Sequence, residues 1–208
     1  MNKKKQKRYF AAFAAVLFAL VLMLSSCGSK APDIDTIRDE LSSLIDASAE
    51  INEILFGEGL PVYSRDGGEE ETAIYNDMKK SLSAYEVVRE DAKYLSIDEI
   101  KSAAELVYSE DYLESVYDMA FVGYADETVG TYAARYYEWD GWLYKNREYE
   151  PVVDGTRTYD YSTMKLVKPS RGDYINFTVD SELDGEKLTV TLSAVLTENG
   201  WRLDSPTY

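Results

Sequence analysis

The sequence contains no histidine and only one cysteine, and these absences remove most common catalytic sites. Without histidine there is no Ser-His-Asp or Cys-His triad, no imidazole acid or base and no histidine-ligated zinc. With Cys27 as the sole thiol, no disulfide can form within one chain. The composition therefore predicts no catalytic residue, no metal site and no cofactor. We expect a protein that binds a partner rather than an enzyme.

Positive charge is also scarce. The 208 residues include 22 Lys and Arg but 38 Asp and Glu, which gives a net charge of −16. Such a surface disfavours nucleic acid and close contact with anionic lipid headgroups. It suits a basic protein or a basic wall component as partner, and it also serves solubility alone.

One long apolar run lies near the start of the chain. Basic residues precede it, and it extends from Tyr9 to Leu24, 16 residues in all. That is shorter than the roughly 20 residues of a membrane-spanning helix. The small residues Ser25 and Ser26 follow, and then Cys27. A basic start, an apolar run and small residues are typical of a secretory signal peptide.

The segment Leu24-Ser25-Ser26-Cys27 resembles the lipobox of bacterial lipoproteins. This resemblance implies cleavage before Cys27 and acylation of its thiol, by chains such as palmitate. Two acyl chains, at roughly 0.8 kcal/mol per CH2, give stable membrane anchoring. We predict a signal peptide over 1–26, a lipidated tether over 27–33 and one extracytoplasmic domain over 34–208. Cleavage would remove five of the 22 basic residues and none of the 38 acidic ones, changing the net charge from −16 to −21.

The first part of this domain has helical spacing. Apolar residues predict a helix over 34–56, with Asp33 or Asp35 at its start and Gly57 at its end. A polar, acidic loop follows over 64–71.

Two capping signals predict further helices. Ser96 and Glu99 form a capping box, which begins a helix that continues to about residue 108. Ser109 begins a second helix, which stops near Gly123. The segment 72–88 fits either a helix or a strand.

From about residue 132 the pattern changes to β-strands. Alternation predicts a hairpin of strands 132–138 and 143–145 around an Asp-Gly turn. Further strands are predicted over 164–168, 174–183, 188–196 and 201–203. Helices followed by strands indicate an α+β fold, with N-terminal helices packed on a curved antiparallel sheet, a meander of about five to six strands.

The tip of the first hairpin is the candidate binding site. Trp139 and Trp142 flank Asp140 and Gly141 and cannot both be buried at a turn. Aromatic side chains dominate binding hot spots, so we predict that these four residues contact a partner. The alternative is that one or both tryptophans fold back onto the sheet.

Carboxylates offer two weaker alternatives. Glu138, Asp140 and Glu148 surround the hairpin, and a carboxylate pair can hydrolyse glycosides. The segment 180–185 is similar to the start of a calcium-binding loop. Its twelfth position is Thr191 instead of the bidentate acid, so a plain hairpin turn is predicted there.

The C-terminal half has a recognisable order of segments. These are Ser109-Glu110-Asp111-Tyr112-Leu113, Asp140-Gly141-Trp142-Leu143-Tyr144, the strands 174–179 and 188–196, and Gly200-Trp201-Arg202-Leu203-Asp204-Ser205-Pro206-Thr207-Tyr208. This order resembles the IseA-like family of DL-endopeptidase inhibitors from Gram-positive bacteria. The resemblance implies an inhibitor or regulator of NlpC-type cell-wall peptidases, with such a peptidase or another wall-associated protein as partner. The ending is also similar to nuclear-transport-factor-2-like lipoprotein domains, which would imply a solute- or glycan-binding module with an apolar pocket.

Overall fold

The computed structural model describes residues 30–63, 84–126, 130–152, 155 and 157–208. Cys27, the signal peptide and the acidic loop over 64–71 lie outside these residues, so the anchor and the extracytoplasmic location stay predictions. Within the described ranges, no helix is both long enough and apolar enough to cross a membrane.

Helix α1 spans Ile34–Phe56 and confirms the first predicted helix. The side chain of Asp33 accepts a hydrogen bond from the Asp35 amide, which caps the start of the helix. The amide of Gly57 donates to the carbonyls of Asn52 and Glu53 at the other end. Its buried apolar residues recur at helical spacing: Leu41, Ile45, Ile51, Ile54 and Leu55.

Helix α2 spans Ile97–Ala104 and begins at the predicted cap, where Ser96 Oγ accepts from the Glu99 amide at 3.1 Å. The helix is shorter than predicted. The amide of Ser109 donates to the Leu203 carbonyl at 2.8 Å, and the Leu203 amide donates to Val107 at 2.9 Å. These bonds hold the chain before Ser109 against the last strand, so the helix cannot continue to residue 108.

Helix α3 spans Glu110–Tyr117 and confirms the second cap, because Ser109 Oγ accepts from the Tyr112 amide at 3.1 Å. It continues as a π-helical turn over Asp118–Val122. Gly123 follows with φ of 73°, which ends the helix where the sequence predicts.

The described strands form three antiparallel sheets. The first has the order β1-β5-β4, where β1 is Tyr85–Val87, β4 is Tyr136–Trp139 and β5 is Trp142–Asn146. The second pairs β2 (Tyr124–Asp126) with β3 (Gly130–Tyr132). The third is a four-stranded meander of β6 (Thr158–Val167), β7 (Tyr174–Leu183), β8 (Glu186–Thr197) and β9 (Gly200–Leu203). The mixed α+β fold is confirmed, whereas one continuous meander of five to six strands is not.

The first strand of the four-stranded sheet begins earlier than the sequence predicts. Strand β6 starts at Thr158 rather than near Met164. Tyr159 and Tyr161 are half-buried on one face, while Asp160 and Ser162 are exposed on the other. This alternation is typical of a strand whose inward residues are tyrosines.

Helix α1 packs against the four-stranded sheet. Arg38 Nη1 donates to the Tyr161 carbonyl at 2.6 Å, and Glu40 Oε1 accepts from the Trp201 amide at 2.9 Å. Apolar side chains of the helix and the sheet join one core, in which Leu41, Ile175 and Phe177 are fully buried. Each such side chain contributes about 1.5–3 kcal/mol of burial energy.

A buried arginine connects α1 to the three-stranded sheet. Arg135 is only 2% exposed, and its guanidinium donates to the carbonyls of Ile54 at 2.8 Å and Gly57 at 2.5 Å. Tyr136 OH donates to the same Ile54 carbonyl at 2.9 Å. Positive charge at the C-terminal end of a helix is favoured by the helix dipole. Arg135 and the first residue of β4, Tyr136, thus fix the hairpin to the end of α1.

Candidate functional site

The predicted hairpin is present, although its first strand begins at Tyr136 and not at residue 132, which belongs to β3. Its turn follows the predicted chemistry. Strands β4 and β5 pair so that Trp139 lies directly opposite Trp142. Asp140 and Gly141 have φ values of 52° and 81°, the left-handed geometry that a tight type I′ turn requires. Aspartate and glycine tolerate this backbone, so the turn is stable without support from a partner.

The two tryptophans have different environments. Trp139 is 44% exposed, whereas Trp142 is half-buried beside a recess of about 120 Å3 that Leu95 and Leu143 also line. Asp140 and Gly141 are exposed. Trp139 is therefore available to a partner, while Trp142 partly folds back.

The hairpin carries an aromatic face wider than the four predicted residues. Directly opposed residues in an antiparallel pair lie on one face, and so do residues two apart in a strand. The register places Tyr137 opposite Tyr144 and next to Trp139, and the ring centroid of Tyr85 lies 6.1 Å from that of Tyr137. We call the set Tyr85, Tyr137, Trp139, Trp142 and Tyr144 the aromatic hairpin face. Tyr137 is 42% exposed, so it and Trp139 form the accessible part.

The tyrosines at the buried side of this face are held in their neutral form. Burial raises the pKa of Tyr144, and the charge of Asp140 raises it further. Burial likewise raises the pKa of Tyr85, with a further contribution from Tyr137. The hydroxyl of Tyr85 donates to the Ala134 carbonyl at 2.6 Å, which fixes the ring. Sequence reasoning missed Tyr85 and Tyr137, although the Tyr-x-Trp alternation in β4 is the signal that could have found Tyr137.

The acidic residues around the hairpin make different contacts. Glu138 Oε1 accepts from the Ile97 amide at 2.6 Å, so this side chain binds the start of α2. It points to the face opposite Trp139, because adjacent residues of a strand alternate. Glu148 follows β5, and its amide donates to Asn146 Oδ1 at 2.9 Å. Glu138 therefore joins the hairpin to α2.

The acidic segment 180–185 covers the end of β7 and the hairpin turn that follows it. Asp184 and Gly185 have φ values of 53° and 83°, and Thr191 lies within β8. Thr189 Oγ1 donates to Asp180 Oδ1 at 2.5 Å across the two strands. In the described ranges, no group of three or more acidic or cysteine side chains is placed to hold a metal ion.

A cleft of about 490 Å3 lies between α1 and the start of β6. Tyr159 and Tyr161 line its sheet side, and Asp46 lines its helix side. Tyr161 OH donates to Asp46 Oδ1 at 2.5 Å. Burial raises the pKa of Tyr159 to about 12. Burial and the Asp46 carboxylate raise the pKa of Tyr161 as well.

Ser48, Asn52 and Thr207 line the floor of this cleft and form a buried polar cluster with Tyr108. Thr207 Oγ1 contacts Ser48 Oγ at 2.6 Å, accepts from Asn52 Nδ2 at 2.8 Å and lies 3.0 Å from Tyr108 OH. Tyr108 OH donates to Asn52 Oδ1 at 2.8 Å. All four residues are buried, so their polar groups satisfy one another.

An acidic groove of about 800 Å3 runs between α3 and the turn that joins β8 to β9. Its acidic side chains are Glu105, Glu110, Asp111, Glu114 and Glu198. Arg202 lies among them, and its Nε donates to the Glu105 carbonyl at 2.8 Å. This groove places part of the net negative charge on one side of the molecule.

The structure thus brings the predicted hairpin residues together on a rigid turn and adds a cleft on the other sheet. The resemblance to IseA-like inhibitors stays a prediction. No protein-family model matches the chain, and no curated protein is similar to it in sequence.

Proposed function

We propose that this protein is a membrane-anchored extracytoplasmic binding protein that restrains an NlpC-type cell-wall DL-endopeptidase. The observation that carries the proposal is the aromatic hairpin face, where Trp139 and Tyr137 are exposed on β4 beside a rigid turn. Contiguous exposed aromatic side chains on a soluble domain mark interaction surfaces. The C-terminal resemblance supplies the class of partner, and the lipobox supplies the location.

The hairpin suits insertion into an enzyme cleft. Its turn and its link through Glu138 to α2 fix its direction before binding, which lowers the entropy cost of association. A tryptophan desolvated at the centre of such an interface contributes about 2 kcal/mol or more. The acidic groove and the net charge would attract a basic rim around the peptidase cleft and raise the association rate.

The support for the hairpin, in this proposal, is a layer of helices packed on a curved sheet. The contacts of α1 with Tyr161 and Trp201 favour this arrangement. The tether over 27–33 is short, and a fully extended residue spans at most roughly 3.6 Å. The domain would therefore stay within a few nanometres of the membrane, where newly exported wall enzymes pass.

The test measures peptidoglycan hydrolysis by a purified NlpC-type DL-endopeptidase, with the lipoprotein added in detergent. We expect an excess of the protein to inhibit hydrolysis. Trp139→Ala should raise the concentration needed for half-inhibition by roughly 30-fold, which corresponds to about 2 kcal/mol.

The matched control is Leu196→Ala, because Leu196 on β8 is also 44% exposed but lies on the other sheet. It should inhibit like the wild type. Unchanged hydrolysis at a large excess of wild-type protein would refute the inhibitory function. Equal inhibition by Trp139→Ala and the wild type would refute the hairpin as the contact.

A further inference from the structure

The cleft between α1 and β6 has features of a small-molecule site that the hairpin lacks. Its volume of about 490 Å3 falls within the range of roughly 300–1,000 Å3 that is usual for such sites. It lies against the four-stranded sheet, whereas the aromatic hairpin face belongs to the three-stranded one. Any ligand of the cleft is therefore independent of the peptidase contact.

Two tyrosine rings form one wall of the cleft. Tyr159 and Tyr161 lie on the same face of β6, with ring centroids 6.1 Å apart and planes only 7° from parallel. Tyr159 OH donates to the Thr207 carbonyl, and Tyr161 OH donates to Asp46. Because both hydroxyls are bound, the rings keep their orientation without a ligand, which lowers the entropy cost of binding.

The floor is equally fixed. The cluster of Ser48, Asn52, Tyr108 and Thr207 is buried and hydrogen-bonded within itself. Such satisfied networks are rigid. The cleft is thus largely formed before any ligand enters.

The charged groups at the cleft decide which ligand fits. Asp46 and Glu53 lie on the helix side. Glu53 Oε1 accepts from the Glu58 amide at 2.9 Å, whereas Oδ2 of Asp46 has no hydrogen-bond partner within the described ranges. Arg157 lies just before β6, where Nη1 donates to Ser181 Oγ at 3.0 Å, and its other N–H groups have no acceptor among the described residues. The cleft therefore offers a charged acceptor and a charged donor beside an aromatic wall.

Three ligand classes fit poorly. A simple cation would leave N–H groups of Arg157 without an acceptor, and an anion would be repelled by Asp46 and Glu53. A purely apolar molecule would displace water from both charged groups and would offer them no hydrogen bonds in return. A neutral ligand with many hydroxyl groups satisfies both, because each hydroxyl donates and accepts.

We propose that this cleft binds a neutral saccharide, with the apolar C–H face of one sugar ring against Tyr159 and Tyr161 and its hydroxyls bonded to Asp46 and Arg157. Aromatic side chains provide a flat apolar surface, and the apolar face of a pyranose ring matches it. The site goes beyond the proposed inhibitory function and does not depend on it.

The test is a calorimetric titration of the full lipoprotein, in a detergent without sugar headgroups, with neutral β-1,4-linked oligosaccharides of N-acetylglucosamine and of glucose. We expect binding with Kd of about 0.1–1 mM, in keeping with one small open site. Tyr161→Ala and Arg157→Gln should each weaken it by at least about tenfold.

Two variants keep the result interpretable. Tyr161→Phe preserves the ring and should bind within a few-fold of the wild type, which separates loss of the wall from loss of folding. Tyr137→Ala alters only the aromatic hairpin face and should leave saccharide binding unchanged.

The proposal fails if no neutral oligosaccharide binds, or if binding is unaffected by both Tyr161→Ala and Arg157→Gln. It also fails if deacetylated glucosamine or glucuronate oligomers bind more tightly than neutral ones. Peptidase inhibition by Tyr161→Phe and Tyr137→Ala, measured in parallel, distinguishes failure of this site from failure of the hairpin.

Discussion

Replacement of Arg135 by methionine tests how the hairpin is attached to α1. Met keeps most of the apolar length of the side chain but removes the donors to Ile54 and Gly57. The Ile54 carbonyl keeps its bond from Tyr136 OH, whereas the Gly57 carbonyl loses its guanidinium partner. The guanidinium also lies 4.2 Å from the ring centroid of Tyr149, a cation–π contact that Met cannot make.

The expected change in the free energy of unfolding is the balance between lost interactions and a relieved desolvation penalty. An unsatisfied buried carbonyl costs about 1–3 kcal/mol. The lost cation–π contact and the lost charge at the helix end cost about 0.5–1 kcal/mol each. Relief of the desolvation penalty of a buried guanidinium offsets part of this. We therefore expect Arg135→Met to lower the free energy of unfolding by roughly 2 kcal/mol, and Arg135→Ala by roughly 4 kcal/mol because a cavity is added.

Urea unfolding, followed by tryptophan fluorescence, measures this change. With a slope of about 2 kcal/mol per molar, Arg135→Met should lower the midpoint by about 1 M. The control is Arg171→Met in the exposed turn after β6, which should stay within about 0.5 kcal/mol of the wild type. If Arg135→Met proves as stable as the wild type, desolvation outweighs the hydrogen bonds and our account of this attachment is wrong.

Two further predictions concern the cleft. The pKa of Tyr159 is raised from 10 to about 12 in the folded protein, so its contribution to stability is complete below pH 10 and is lost as pH rises toward 12. Tyr159→Phe should make the melting temperature less sensitive to pH over that window, and an unchanged pH dependence would contradict the assignment. Thr207→Val removes the hydroxyl shared by Ser48, Asn52 and Tyr108, and should cost about 2 kcal/mol, or roughly 4–8 °C in melting temperature. Thr189→Val, at an exposed site on β8, is its control, and an equal loss there would contradict the special role of the cluster.

Local signals account for the parts of the fold that the sequence predicted well. Asp33 and Gly57 satisfy backbone groups within one turn of α1, so both boundaries could be found from adjacent residues. The same holds for the Asp140-Gly141 turn, whose backbone geometry depends on those two residues.

Distant partners account for the parts that were missed. Residue 108 is not helical because the flanking backbone bonds to Leu203. Strand β1 exists because Tyr85 pairs with Asn146, a partner that no local pattern reveals. Such pairings also divide the strands into separate sheets. The alternation of apolar and polar residues is the same in separate sheets and in one meander, so it could not distinguish the two.

The two candidate sites differ in the same respect, because one is formed by adjacent residues and the other by residues far apart in the sequence. The hairpin tip is local, and Trp139 could be found from the turn beside it. The cleft combines α1, β6 and the segment after β9, and its key contacts join Asp46 to Tyr161 and Ser48 to Thr207 across 115 and 159 residues. No spacing rule in the sequence links such positions.

The bond between Ser48 and Thr207 also bears on when the chain can fold. Helix α1 is among the first parts of the domain to be synthesised, yet its buried polar residues Ser48 and Asn52 bond to a threonine that follows them by 159 and 155 residues. Contacts of this separation form late, because a long loop must close first. If the chain is exported as we propose, the early segment would stay unfolded until the last strand follows it. The closing contact would then delay folding until the chain reaches the side of the membrane where it acts.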